Sequence, residues 1–451
     1  MSFFYSQIAL LLAVLGPISV ALPDVRSRVS SPASASSAAS SVAQVPPKGW
    51  NSWDAFGAGV NETEFLDCSE LVANNLLTYG FDTVTVDMDW YKYGSGARIT
   101  VIDKWGRPQP AIEKWPRGFR PVADKVHSMG LKFGVHIVLG VHKSALVADS
   151  PIKGGPDGVT VNDVVDLSQT CGWYHDVYGL NMTVPGAQEF YDSVIGQLVD
   201  WGVDFIKHDC VFGGSPALSD IHAVANAIRK TGKPLVYSLS PGSAYDPLQG
   251  LRVQPYANMY RISRDFHGSY PQMLMEHFPE SKQNAAAGLI GGRGGNGRSW
   301  PDLDMLPPNL DPERSETASI MILWAIARSP LIWGGDPRPG ARHHDPKSMP
   351  VLQNRELLRV SDLSSNNREL WSRPALHIYN DSLLAHRALP KSEGWAEGAG
   401  QPPFAGKGAS YGPSTRSALP RTKCNLGALG AGSDLYVNHS TTVEWSMQWC
   451  Q

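Results

Sequence analysis

Gly202-Val203-Asp204-Phe205-Ile206-Lys207-His208-Asp209-Cys210 passes from an apolar β stretch straight into three ionisable side chains, Lys207, His208 and Asp209. A buried strand ordinarily ends in a turn, because charge taken out of water is costly unless it is paired or used. In a barrel of parallel strands, that carboxyl end is where catalytic groups gather. The stretch alone allows two readings: a structural Lys207–Asp209 ion pair, or a carboxylate set up for chemistry.

Similar segments repeat on either side of it. Residues 81–86 are continuous and rich in β-branched side chains, as expected of a strand buried on both faces. Residues 131–137 follow a helical pattern that Gly130 stops, and residues 234–239, 259–262 and 331–333 extend the series. Between them lie amphipathic helices, with Phe190, Tyr191, Val194, Ile195, Leu198 and Val199 at helical spacing, and likewise Ile320, Met321, Leu323, Trp324 and Ile326. Repeated βα units suit a closed (β/α)8 barrel or an open doubly wound sheet. No glycine-rich phosphate loop follows the first strand, which disfavours a nucleotide-binding sheet. Asp87 and Asp89, His136, Lys207 to Asp209, Ser240, Arg261 to Asp265 and Asp302 to Asp304 each follow or end an apolar run. Convergence from the ends of many strands favours the barrel. The expected fold is α/β, a (β/α)8 TIM barrel over residues 46–340. A small, incomplete C-terminal β region is expected over 341–451, with strands at 377–379 and 383–385 and a Gly, Pro, Ser and Ala-rich stretch at 390–433.

Composition excludes more than it selects. A formal charge of −3 over 451 residues carries no signature of nucleic acid or an anionic membrane as partner. Residues 1–21 read as a secretory signal peptide, with an apolar core from Ile8 to Leu15 and Ser19-Val20-Ala21 as a small-x-small cleavage site. That core is too short to span a bilayer and is broken by Gly16 and Pro17. Residues 22–45 read as a Ser/Ala-rich linker. A secreted, extracellular or cell-wall protein with no membrane span is therefore expected. Its sequons at Asn61, Asn181, Asn380 and Asn438 become candidate glycosylation sites, although Asn61, with Glu64 three residues on, equally suits a helix cap. Of the cysteines Cys68, Cys171, Cys210, Cys424 and Cys450, an odd number, at least one stays unpaired, and the spacing does not suggest a metal site.

Two carboxylates carry the strongest chemical signal: Asp209, and Asp265 in Tyr260-Arg261-Ile262-Ser263-Arg264-Asp265. A flanking lysine lowers the pKa of one, suiting it to act as an ionised nucleophile. The other can protonate a leaving oxygen. Glycoside hydrolysis requires such a pair, about 5–5.5 Å apart for retention and about 6.5–9.5 Å for inversion. Ion pairs Lys207–Asp209 and Arg261–Asp265 that merely support loops explain the same residues.

Longer motifs break the tie. Pro46-Pro47-Lys48-Gly49-Trp50-Asn51-Ser52-Trp53-Asp54-Ala55-Phe56 resembles the opening motif of glycoside hydrolase family 27, the α-galactosidase (melibiase) family. There the motif forms the first barrel strand and sets a Trp, here Trp50, under the sugar. Residues 202–210 resemble that family's nucleophile strand, implying Asp209 as nucleophile and Lys207 as a sugar ligand. Arg261 and Asp265 match its Arg-x-x-x-Asp, implying Asp265 as acid/base. Ser299-Trp300-Pro301-Asp302-Leu303-Asp304-Met305-Leu306 resembles its late Asp-Pro-Asp-Met-Leu motif, implying Asp304 as a hydroxyl acceptor, and residues 323–331 look like its closing helix and eighth strand. The motifs occur in family order over about residues 46–340.

Departures from the family bear on the sugar. Where α-galactosidases carry Asp-Asp-Cys-Trp, this chain reads Asp87-Met88-Asp89-Trp90. Met88 replaces the carboxylate that helps hold the exocyclic 6-hydroxyl, and an unpaired hydroxyl against an apolar wall costs about 1–3 kcal/mol. β-L-Arabinopyranose is α-D-galactopyranose without that hydroxymethyl group, and the variant motifs resemble the plant-type branch containing β-L-arabinopyranosidases. If Asp89 slips into the missing role through a bulge, an ordinary α-galactosidase results. His136 stands where the family has a Tyr near the nucleophile. Ser240-Pro241-Gly242 replaces a Cys-Glu-Trp segment that reads the 2-hydroxyl, leaving a 2-acetamido group sterically allowed. Arg264 beside Asp265 is unusual and would hinder protonation. The resemblance also implies a Cys171–Cys210 disulfide. The expectation is a secreted retaining exo-glycosidase acting on terminal β-L-arabinopyranosides or α-D-galactosides of an oligosaccharide, polysaccharide or glycoconjugate. No metal and no organic cofactor are expected. An α-N-acetylgalactosaminidase and a catalytically weak sugar-binding homologue are the alternatives, and the oligomeric state is open.

Overall fold

A computed structural model describes residues 41–93, 99–212, 217–240, 247–311 and 314–369, with the strands Arg421–Cys424, Ser433–Asn438 and Thr442–Trp449. The expected signal peptide, nearly all of the linker, Pro241, Gly242, Asn380 and the strands expected at 377–379 and 383–385 lie outside the described residues.

Eight strands build the barrel: β1 Lys48–Asn51, β2 Thr83–Val86, β3 Lys132–Val138, β4 Phe205–Asp209, β5 Val236–Leu239, β6 Met259–Arg261, β7 Gly297–Asp302 and β8 Leu331–Trp333. They pair in parallel and in sequence order from β1 to β7, and β8 pairs back with β1. Leu306 joins the last gap: its N–H donates to Ile332 O at 2.7 Å, and its carbonyl accepts from Gly334 N at 3.0 Å. The main helices between and after the strands are α1 Glu62–Asn75, α2 Phe119–Ser128, α3 Ala187–Asp200, α4 Leu218–Thr231, α5 Pro247–Val253, α6 Phe278–Ala286, α7 Ser315–Ala327 and α8 Arg355–Leu363. The expected barrel is thus present.

Local sequence explains the parts that position the site. In β2, Thr83-Val84-Thr85-Val86 is buried throughout, as a strand between the lumen and a helix layer must be. Asn61 caps α1: its side chain accepts from Glu64 N at 3.1 Å, and Glu64 reaches back to Asn61 N at 3.2 Å. Phe205, Val236, Met259 and Ile332 form a separate apolar cluster drawn from β4, β5, β6 and β8, while the larger core lies against the helices. Between β3 and α3 an antiparallel sheet is inserted, made of Val141–His142, Val165–Thr170 and Val177–Leu180. Its last connection carries Cys171, bonded to Cys210 as the family resemblance implied. Ser365–Glu369 pairs with Thr442–Trp449 in a separate four-stranded sheet at the C-terminal end. No helix among the described residues is long and apolar enough to cross a membrane.

The β1–β2 contact depends on a missing side chain. A Cβ at Gly49 would lie 2.2 Å from the Thr83 carbonyl oxygen, which is backbone of the adjoining strand and cannot swing aside. Gly49→Ala is expected to cost about 2–3 kcal/mol through this overpacking. A denaturant midpoint equal to wild type would contradict that packing.

Candidate active site

Alternation along β4 sorts its three ionisable side chains. Residues i and i+2 share a face of a strand, so Lys207 and Asp209 point together while His208 points the other way. His208 is wholly buried, with Nδ1 2.8 Å from Tyr237 Oη, and burial pushes its pKa down to about 3, leaving it neutral. Asp209 Oδ2 sits 2.9 Å from His136 Nε2 on β3, and its Oδ1 accepts from Cys210 N at 2.8 Å. A carboxylate accepts there, so the His136 Nε2–H is the donor. Burial alone would raise the Asp209 pKa, but the hydrogen bond and field of His136, with Lys207, bring it below the ordinary range.

Lys207 does not bond to Asp209. Its ammonium donates to Asp87 Oδ2 at 2.8 Å, at the end of β2. Asp87 also accepts from Asn51 Nδ2 at 2.7 Å and from Met88 N at 2.8 Å. Against the opposing effect of burial, Lys207 holds Asp87 well below the usual carboxylate range, while Asp87 and Asp209 hold Lys207 above its ordinary value.

The opposite wall is organised by Arg261 at the end of β6. Its buried guanidinium bonds Asp304 Oδ1 at 2.8 Å and Asp265 Oδ1 at 3.0 Å, and reaches Ser240 Oγ at 3.5 Å. Asp304 also accepts from Phe266 N at 2.7 Å. Burial outweighs Arg261 in raising the Asp304 pKa, and pushes Asp302 to about 6. The Asp265 side chain is 66 % exposed. Arg264, expected to hinder protonation by Asp265, turns its guanidinium to Glu276.

These groups open on one cavity of about 250 Å³. Of the residues singled out in the sequence, it brings together Asp87, Met88, Lys207, Asp209, Ser240, Arg261, Asp265 and Asp304. His136 stands behind Asp209. Trp50 does not join them: it is wholly buried against Phe56 and Phe65, with its indole N–H on Gly335 O at 2.6 Å. Trp53, which follows the end of β1, lines the cavity instead. Asp89 also stays out. Its backbone takes a positive φ of 65°, and its Oδ1 accepts from Tyr174 Oη at 3.1 Å, whereas Met88 faces the cavity. Asp54 and Trp173 line the cavity too, without having been picked out as site residues. For Asp54 a signal was present, an acid directly after the opening motif's second Trp. For Trp173 the sequence held none, since its place depends on the inserted sheet. Among the described residues no three His, Cys, Asp or Glu side chains are grouped as metal ligands would be.

Comparison with known proteins identifies the family and the fold. Residues 152–362 match the family model described as alpha galactosidase A. The structure is similar to that of a GH27 β-L-arabinopyranosidase from Geobacillus stearothermophilus, at 32 % identity and a TM-score of 0.66, covering 73 % of this chain and 79 % of that one. An alpha-galactosidase of Oryza sativa is 25 % identical over 344 residues, 73 % of this chain and 69 % of the relative. An alpha-N-acetylgalactosaminidase of Gallus gallus is 27 % identical over 340 residues, 71 % of each.

Asp54 yields a pH prediction. Burial and its neighbours Asp304, Asp87 and Asp265, only partly offset by Lys207, push its carboxyl from 3.8 up to about 7. The folded state therefore holds a proton that the unfolded chain has lost, and the contribution of Asp54 to stability falls as pH rises from about 4 to about 7. Asp54→Asn removes that loss. Its stability relative to wild type is expected to rise by about 1–2 kcal/mol between pH 5 and pH 8, allowing for solvent screening. Parallel thermal melts at the two pH values check this; a pH-independent difference would contradict it.

Proposed function

The chain belongs to glycoside hydrolase family 27, and from that premise we propose a secreted, retaining exo-glycosidase whose preferred terminal sugar is β-L-arabinopyranose. In this reading Asp209 attacks the anomeric carbon. Its ionised state, supported by His136 and Lys207, is what a nucleophile needs. Asp265 first gives its proton to the departing oxygen and then takes one from water. It opens on the same cavity as Asp209 and has much of its carboxyl in solvent, where a leaving group and a water can reach it. Asp87, Lys207 and Asp304 supply charged hydrogen-bonding groups for sugar hydroxyls, and Trp53 supplies the aromatic wall first assigned to Trp50.

Met88 carries the substrate choice. Its thioether lines the cavity next to Asp87, and Asp89 is directed to Tyr174 rather than into the vacated role. A pentopyranose leaves nothing unpaired at that wall, whereas a galactoside brings a 6-hydroxyl that loses water without gaining a partner there. Ser240, small and on the cavity, favours a second reading as an α-N-acetylgalactosaminidase. The weak sugar-binding alternative rested on Arg264 and on the degraded C-terminal region, and the bond from Arg264 to Glu276 weakens the first of these motives. Secretion is supported by the apolar leader and by the Cys171–Cys210 disulfide, which an oxidising compartment preserves. The partner is an oligosaccharide, polysaccharide or glycoconjugate.

Initial rates on 4-nitrophenyl β-L-arabinopyranoside and α-D-galactopyranoside test the proposal. The arabinoside is expected to have the higher kcat/KM, and preference for the galactoside would refute the substrate reading. Met88→Asp is expected to move the ratio towards the galactoside by about tenfold, the worth of one hydroxyl contact. Asp209→Asn is expected to lower turnover by on the order of 10³-fold or more, and an unchanged rate would exclude Asp209 as nucleophile.

A further inference from the structure

Exposure orders the cavity from floor to mouth. On the floor, Asp87, Asp209 and Asp304 retain 3 %, 8 % and 8 % of their surface. At the mouth, Trp173 is 46 % exposed and the Asp265 side chain 66 %. An exo-acting site must seat the terminal sugar on the closed floor, so the departing group, protonated by Asp265, has to extend past the mouth. Among the described residues that line the cavity, Trp173 is a large aromatic at its exposed end. It sits two residues after Cys171, which is bonded to Cys210, itself directly after Asp209. Its neighbour Tyr174 packs beside it, with ring centroids 5.7 Å apart, and is anchored on Asp89 at 3.1 Å. The indole is thus tethered at both ends of its short loop. An exposed, held Trp face offers apolar area that suits the C–H face of a pyranose.

We propose that Trp173 forms a subsite for the leaving group, a platform on which the pyranose ring next to the scissile bond stacks. The proposal rests on the glycosidase reading above and adds to it: the natural substrate presents a second sugar at that position. Trp173 then contributes to the first, bond-breaking step by holding the leaving oxygen in reach of Asp265, and it makes no contact with the terminal sugar.

Leaving-group size separates this from other roles. The kcat/KM of wild type, Trp173→Ala and Trp173→Phe is measured on the glycosyl fluoride of the preferred sugar and on a disaccharide carrying that sugar at its non-reducing end. Fluoride has no ring to stack. Trp173→Ala is expected to shift the fluoride-to-disaccharide ratio of kcat/KM about tenfold towards the fluoride, and Trp173→Phe to recover most of the shift. Turnover of the fluoride also reports that the variant is folded. Equal losses on both substrates, or none on either, would overturn the subsite while leaving the glycosidase reading intact. A wild type that cleaves neither substrate would overturn both.

Discussion

Buried charge at the barrel mouth must be compensated, and two cations do it. Lys207 bonds Asp87 from β4, and Arg261 bonds Asp304 and Asp265 from β6. Removing one partner of such a pair leaves an uncompensated charge in low dielectric, at a cost of several kcal/mol. Six carboxyl groups, however, face these two cations: Asp54, Asp87, Asp209, Asp265, Asp302 and Asp304. The shortfall appears in their ionisation. Lys207 and His136 hold Asp87 and Asp209 in the charged form, while burial pushes Asp54 up to about 7 and Asp302 to about 6. A nucleophile held ionised beside carboxyls that are pushed towards their protonated form follows from that uneven distribution.

The backbone is shaped for the same purpose. Asp89, Cys210 and Asp304 each carry a positive φ, at 65°, 62° and 88°, just beyond β2, β4 and β7. Residues with a Cβ are held there only when their surroundings enforce it, at a cost of about 1–3 kcal/mol each. At β2 this turn presents Met88 to the cavity and takes Asp89 to Tyr174. At β4 it follows Asp209, whose own Oδ1 receives the Cys210 N–H. At β7 it sets Asp304 between Arg261 and the Phe266 N–H. In each case the turn aims a side chain at, or away from, the cavity.

Particular residues show how far the chain could be read before folding. The polar endings of the apolar runs were legible, because a charge after a buried strand is conspicuous against its surroundings. Trp50 and Trp53 were not separable: both are large aromatics in one motif. Only the strand's boundary, with Trp50 inside it and Trp53 opening the short helix beyond, decides which is core and which is wall. Arg264 looked like a threat to Asp265 because they are sequence neighbours, but its long side chain reaches a glutamate twelve residues on. Lys207 was paired on paper with Asp209, two residues away, yet it bonds a carboxylate 120 residues distant.

The order of residues was sufficient for the reaction class and the barrel. Strand periodicity, polar strand ends and motif strings are local properties, and they survive without knowledge of what meets what. The partners were settled only by folding. Closing eight strands into a ring brings the ends of β2 and β4 within hydrogen-bond reach across 120 residues, and an inserted sheet that is not part of the ring sets Trp173 at the mouth. Hydrogen bonds, desolvation and charge coupling act over a few ångströms of space rather than along the chain. Hence the ionisation of Asp209, the isolation of Asp89 and the wall formed by Met88 belong to the tertiary structure.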